Sequence, residues 1–435
     1  MFALVKVAKT MFGVAGLVIF AKLIGFVSQV ALASKLGIST ISDAYFVVLI
    51  VPTLLCNVWG GAIGLATASV VTSRNHFGNT NIILLVKAFL WVVPLLILLT
   101  IFRSQIAQFF MTEIDAPAKI VVFSELSLVF WPLTGLMCIS QIALVWQNAT
   151  GKLILPALSP LSYAVVIFTM AHFELFNSLE ELLINSQLIG VLLEFGVVMF
   201  ASRRQGLLRF DKTRFAHEWR SVVLLKSSIL QNVFSWFILS LSVPVEQYFA
   251  SMQGPGVNAL VGFSGRIVIP LCAILGSALT LVALKGLLDV YECGLIKEFW
   301  GRCTKTAILV YVVGGVISWF FSLFSKLLID FIYTGPSFTA NDIALIANLF
   351  SWLIYLLPAQ LVIMFSYRVF SVSGHGRYQL YLVLLSLSAL VCSILFLPTS
   401  RSGENIVIAS LIANHLLATC YLLLAFNLKR RSYGP

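Results

Sequence analysis

The chain is 435 residues long, with 60% hydrophobic and 10% charged residues, a mean hydropathy of +1.00 and a net charge of +11. A soluble domain is closer to half apolar and a quarter charged, so this composition cannot clothe a water-facing surface, and its aromatic and aliphatic content excludes disorder. What remains is a multi-spanning membrane protein.

A transmembrane helix takes about 20 apolar residues. Apolar stretches bounded by charge, Gly or Pro predict twelve such helices, over 10–36, 41–72, 80–102, 117–147, 152–173, 180–202, 220–250, 256–284, 303–324, 340–371, 377–398 and 404–428. Segments 103–113 and 325–333 read as short interfacial pieces. The first stretch contains Lys22 and is too long for the apolar region of a signal peptide, so it reads as an uncleaved span. With the N-terminus inside, the inner connections hold most of the Lys and Arg, including Lys6, Lys9, Lys152, Arg203, Arg204, Arg209, Lys212 and Arg214. The outer set holds Lys35, Arg103, Lys119, Lys326 and Arg401. That bias predicts both termini in the cytoplasm, and it explains the basic balance by topology rather than nucleic acid.

The longest polar break divides the chain into an N-terminal lobe of residues 1–205, a basic cytoplasmic linker of 206–219 and a C-terminal lobe of 220–435. The halves share weak features. Val51-Pro52 precedes Gly60-Gly61, as Ile269-Pro270 precedes Gly276. Pro132 precedes the Asn148–Lys152 turn, as Pro358 precedes the Ser373–Arg377 turn. The expected fold is an all-α membrane protein of about twelve helices in two six-helix lobes. The lobes form a parallel repeat around a central cavity that holds the substrate site near the midplane.

An ionisable residue in mid-bilayer costs a few kcal/mol and normally faces a cavity or a partner. Lys22, Asp43, Lys226, Glu246, Arg266 and Arg368 stand out, with Glu125 and Glu194 behind them. Lys22 lies roughly 17 Å into its span and Arg266 roughly 15 Å into its own from the opposite surface, near the middle of a core about 30 Å thick. Gln29, two turns after Lys22, shares its face. Two cations at one depth suit an anion such as a pyrophosphate. The alternative is internal pairing, Lys22 with Asp43 and Arg266 with Glu246. Asp43 and Glu246 are candidates for a coupling ion, or else solvated helix-end carboxylates, Asp43 as a cap. Lys226 and Arg368 read as snorkelling anchors, and His415 beside Asn414 as an interhelical hydrogen bonder.

Seven cysteines and five histidines make no CxxC, HExxH or mixed cluster, and there is no P-loop, so no metal, cofactor or enzymatic activity is expected.

Ala21-Lys22-Leu23-Ile24-Gly25-Phe26, then Ser42-Asp43-Ala44-Tyr45-Phe46 and Val51-Pro52-Thr53-Leu54-Leu55, resemble the N-terminal signature of the MurJ/MviN lipid II flippases. Asn148–Lys152 with Pro156 and Pro160, Val245-Glu246 through Gly256, Arg266 and Gly276, and Arg368-Val369-Phe370 with Gly374 and Arg377 are similar to later parts of that pattern, in the same order. The resemblance implies the wider superfamily of multidrug and oligosaccharidyl-lipid flippases. Lys22 stands at the family's first span-1 Arg, Arg266 at its span-8 Arg and Asp43 at its Asp; Glu246 sits where relatives often carry Asp. Ser28 and Gln29 replace a second Arg and its acidic neighbour, and Ile50, Cys56 and Asn57 stand where the family is basic. The family's two extra C-terminal helices are not expected.

The expected function is a flippase of the bacterial inner membrane that moves a polyprenyl-pyrophosphate-linked glycan, either lipid II or an exopolysaccharide or O-antigen unit. Lys22, Arg266, Gln29 and Asn57 would face the substrate. Membrane lipid and glycan-synthesis enzymes are the expected partners of a monomer. The alternatives are a cation-coupled multidrug exporter of the same superfamily and an integral membrane glycosyltransferase.

Overall fold

The computed structural model describes residues 2–64, 67, 79–111, 116–150, 154–173, 176, 178–208, 219, 227–333, 335, 337–373, 375–397 and 403–431. Among them there is helix and no strand. In chain order the helices are α1 Phe2–Leu36, α2 Thr40–Val48, α3 Ile50–Leu55, continued by a π-helical stretch Cys56–Ile63, α4 Asn79–Ile101, α5 Arg103–Phe110 and α6 Ala116–Ala149. Then follow α7 Ile154–His172, α8 Leu179–Arg204, α9 Ser227–Ser240, α10 Ser242–Ser251 and α11 Val257–Glu292. The last are α12 Ile296–Leu323, α13 Ser325–Ile332, α14 Ala340–Leu353, α15 Leu356–Val372, α16 Gly376–Phe396 and α17 Glu404–Arg431. Among the described residues eleven helical segments are long and apolar enough to cross a membrane; the pair α14 and α15, bent by 46°, makes a twelfth when taken as one broken span. α5 and α13 are the short pieces expected between spans. The chain is an all-α membrane protein.

The chain forms two compact units, Met1–Asn258 and Ala259–Pro435. Residues 209–218 of the expected linker, Lys152, Lys226 and Arg401 lie outside the described residues.

In the first unit α6 is the central element, packed against α2, α4 and α8, while α1 lies along α7. Its face buries Phe123, Phe130, Trp131 and Trp146. The expected second span is broken, and Pro52 is the reason. Proline has no N–H to offer the carbonyl four residues earlier, which here belongs to Val48. The Trp131 indole N–H donates to that oxygen at 3.2 Å, so α6 supplies what the proline withholds. Polar side chains tie the other helices together: Gln147 to the Ser202 hydroxyl at 2.6 Å, and the Tyr163 hydroxyl to Gln187.

The second unit has a related arrangement at Pro358, whose missing N–H falls at the bend between α14 and α15, where the Ile354 carbonyl accepts the Leu357 N–H at 3.0 Å. The Ser318 hydroxyl of α12 donates to the Ile354 carbonyl at 2.8 Å. His415 of α17 reaches the neighbouring Tyr355 carbonyl at 2.9 Å through Nε2, and its Nδ1 lies 2.8 Å from the Tyr311 hydroxyl. His415 thus bonds across helices as expected. Beside it, Gln360 donates to Asn414 at 2.8 Å.

α12 and α15 approach closely because Gly314 faces Pro358: a Cβ on Gly314 would stand 2.8 Å from the Pro358 Cα, whereas a Cβ on Gly315 would meet nothing within 4 Å. Gly314→Val is expected to destabilise by about 1–3 kcal/mol through overpacking. Gly315→Ala is expected to be neutral or to gain up to about 1 kcal/mol from helix propensity. Thermal unfolding of the two variants in one detergent checks the contrast.

Candidate functional site

The expected site residues are distributed over both units. Lys22 sits on α1, half-buried, within the apolar window Ile19–Leu36. Among the described residues no carboxylate lies within 4 Å of its ammonium, and the expected Lys22–Asp43 pair is not formed. Ser28, which stands where the resemblance places an Arg, is buried and turns its hydroxyl inward to the Gly25 carbonyl at 2.7 Å. Gln29 is half-buried, and Asn57 is exposed within the π-helical stretch.

Asp43 is neither a solvated helix end nor a cap. Ser39 caps α2, receiving the Ser42 N–H at 3.2 Å while the Ser42 hydroxyl accepts the Ser39 N–H at 2.8 Å. That frees Asp43, one residue further in, to point into the protein, where it is 2% exposed. Its Oδ2 accepts the Lys119 ammonium at 2.9 Å and the Gly256 N–H at 2.7 Å. Lys119, expected among the outer-loop cations, is 4% exposed. Gly256 has φ +84°, and a Cβ there would lie 2.8 Å from the Ile38 side chain, so only glycine brings this N–H to the carboxylate. Three distant segments therefore meet on one oxygen. Glu246 is half-buried on α10.

In the second unit Arg266 is half-buried on α11, with its guanidinium carbon 6.0 Å from the Phe263 ring centroid. Phe263, Tyr333 and Phe338 form an aromatic cluster beside it, with ring centroids 5.2–5.8 Å apart. Burial pushes the pKa of the Tyr333 hydroxyl up, against the opposing pull of the Arg266 charge. It stays protonated and donates to the Phe263 carbonyl at 2.9 Å. Arg368 is half-buried on α15, Glu194 is half-buried on α8, and Glu125 is exposed.

Lys119 is the residue that sequence reasoning missed. Nothing in the spacing of positions 43 and 119 links them, and three residues into a helix a lysine reads as solvated. The only signal was its place beside Pro117 at the head of an otherwise apolar helix.

A family model described as "Lipid II flippase MurJ" matches residues 32–432. The chain belongs to the lipid II flippase MurJ family. A probable lipid II flippase MurJ of Buchnera aphidicola subsp. Acyrthosiphon pisum is 22% identical over 362 residues, covering 78% of this chain and 68% of the relative. The inward closed conformation of a lipid II flippase MurJ superposes with a TM-score of 0.73 at 17% identity, covering 96% of this chain and 87% of the other. An inward-facing multidrug resistance MATE family transporter of the MOP superfamily gives a TM-score of 0.70 at 13% identity, covering 94% and 95%. At such identities these likenesses establish a shared fold, and the family match distinguishes the MurJ line within it.

Removing one partner of a buried ion pair strands the other charge and costs about 3–5 kcal/mol. Asp43→Asn and Lys119→Met are each expected to lower the thermal midpoint strongly. The double variant, which strands neither charge, is expected to lose less than the sum of the two. A double-mutant cycle measured by thermal unfolding checks this, and additivity would contradict it.

Proposed function

We propose that this member of the MurJ family translocates a polyprenyl-pyrophosphate-linked glycan, lipid II or a chemically equivalent unit, across the bacterial inner membrane by alternating access. The observation that carries the reading is Lys22: a half-buried cation inside the apolar span Ile19–Leu36 with no carboxylate beside it among the described residues. A buried cation with no internal partner is expensive to keep in a membrane, and an anionic ligand offsets that expense. Arg266 on its aromatic support is the second proposed contact, with Gln29 and Asn57 as polar neighbours of the head group. The parallel repeat of two six-helix lobes, cytoplasmic termini, monomeric action and glycan-synthesis partners belong to the same proposal, as does the absence of any covalent step.

Asp43 is already neutralised by Lys119. That counts against a drug exporter relying on Asp43 to hold cationic compounds, and it leaves Glu246 as the carboxylate for a coupling ion.

A charge-assisted hydrogen bond contributes about 1.5–3 kcal/mol, roughly ten- to a hundredfold in binding. In vesicles containing fluorescent lipid-linked glycan, Lys22→Ala and Arg266→Ala are each expected to lower translocation by about tenfold or more. Lys22→Arg is expected to keep most of it. Because Lys22 has no ion pair to lose among the described residues, Lys22→Ala is expected to leave the thermal midpoint unchanged or raise it. Wild-type rates in both alanine variants would overturn the assignment.

A further inference from the structure

The first unit carries an apolar cleft that the head-group residues do not use. α4 and α6 line it throughout, and α8, also packed against α6, lines one part of it. One part, of about 840 Å³, is lined by Leu85, Val86, Phe89, Ile139 and Met199, with Arg203 at its rim. A second part, of about 360 Å³, is lined by Phe89, Val93, Ile97, Ile101 and Pro132, with Arg103 at its rim. The two meet at Phe89. Near the Arg203 end the chain after α8 is fixed by Asn81, whose amide donates to the Leu207 carbonyl at 2.9 Å.

The lining residues of α4 recur every three or four positions from Ile82 to Ile101, so they form one stripe along the helix. At 1.5 Å per residue that stripe is roughly 29 Å long. A hydrocarbon core is about 30 Å thick, so a single-leaflet acyl chain covers about half of it. A groove that runs the whole thickness fits a longer chain. Its ends are cationic: Arg203 closes the last turn of α8, and Arg103 opens α5. Arg103 donates to the Thr100 carbonyl at 3.0 Å through Nη1, while its Nε is buried with no acceptor among the described residues. Guanidinium groups at both ends complement a phosphate at either surface. The junction of the two parts at Phe89 packs on Gly135 of α6, where a Cβ would stand 3.2 Å from the Phe89 ring and 3.4 Å from Leu96.

We propose that this cleft holds the polyprenyl chain of the transported lipid, so that the tail stays in the groove while the phosphate end passes from the Arg203 side to the Arg103 side or back. The inference rests on the flippase reading for the identity of the lipid, but its site is separate from Lys22 and Arg266.

The test uses the full-length protein in phosphatidylcholine vesicles with a long-chain polyprenyl phosphate that carries a mid-chain diazirine and no glycan. Photolabelling is expected on the cleft faces of α4, α6 and α8. Excess unlabelled polyprenyl phosphate should abolish it and excess phosphatidylglycerol should not. Gly135→Phe fills the junction at Phe89, and Val86→Trp fills the cleft from a partly exposed position that does not threaten folding. Each is expected to cut labelling by about tenfold, the loss that follows when roughly two methylene groups give up their burial. Equal competition by phosphatidylglycerol would mark the cleft as a seat for ordinary bilayer lipid and overturn the proposal, as would labelling elsewhere or labelling insensitive to both cleft variants. Translocation of glycan-bearing lipid without cleft labelling overturns the groove and leaves the flippase reading standing; cleft labelling without translocation does the reverse.

Discussion

A bilayer interior offers no water to a backbone carbonyl or a buried charge, so every polar group taken into it must be answered by another part of the protein. That constraint governs both units. Pro52 and Pro358 each interrupt a helix and each deny a carbonyl four residues back its usual helical donor; at Ile354 the Leu357 N–H makes a tighter turn in its place. In one unit an indole from α6 answers, and in the other a serine hydroxyl from α12. The chain can therefore carry broken helices where a membrane would otherwise forbid them. Broken helices give a transporter places to bend without unfolding.

The same constraint separates the charges. Asp43 and Lys119 are buried together and satisfied together, with Gly256 supplying a third contact. They are structural in the sense that removing either strands the other. Lys22 and Arg266 are handled differently: one has no carboxylate beside it among the described residues, the other rests against aromatic rings. The Asp43–Lys119 pair is a charge arrangement that holds the fold, whereas the proposed ligand contacts lie on other helices. Family membership gives that ligand a chemistry, a lipid-linked pyrophosphate, which needs cations for its head and an apolar path for its tail.

Much of the fold was legible in the sequence because membrane spans are set by composition over a window of about 20 residues. The expected 80–102 and 404–428 appear as Asn79–Ile101 and Glu404–Arg431. The short pieces 103–113 and 325–333 appear as Arg103–Phe110 and Ser325–Ile332. The donor that answers the break after Val48 was not legible, although Pro52 was in plain view. A proline states that a hydrogen bond is missing, but not whether the helix bends, frays or recruits a donor from elsewhere. The identity of Asp43's partner could not be read from the sequence either.

The amino-acid sequence by itself determined the class, the number and placement of the spans, and the membership in the flippase family, because each depends on local composition or on residues in linear order. The tertiary structure decided that Asp43 belongs to Lys119 and Gly256, that Trp131 completes the backbone at Val48, and that α4, α6 and α8 enclose a groove. Those outcomes depend on which helices lie side by side. Apolar surfaces attract one another without direction, and only close packing with every polar group satisfied selects one arrangement from many.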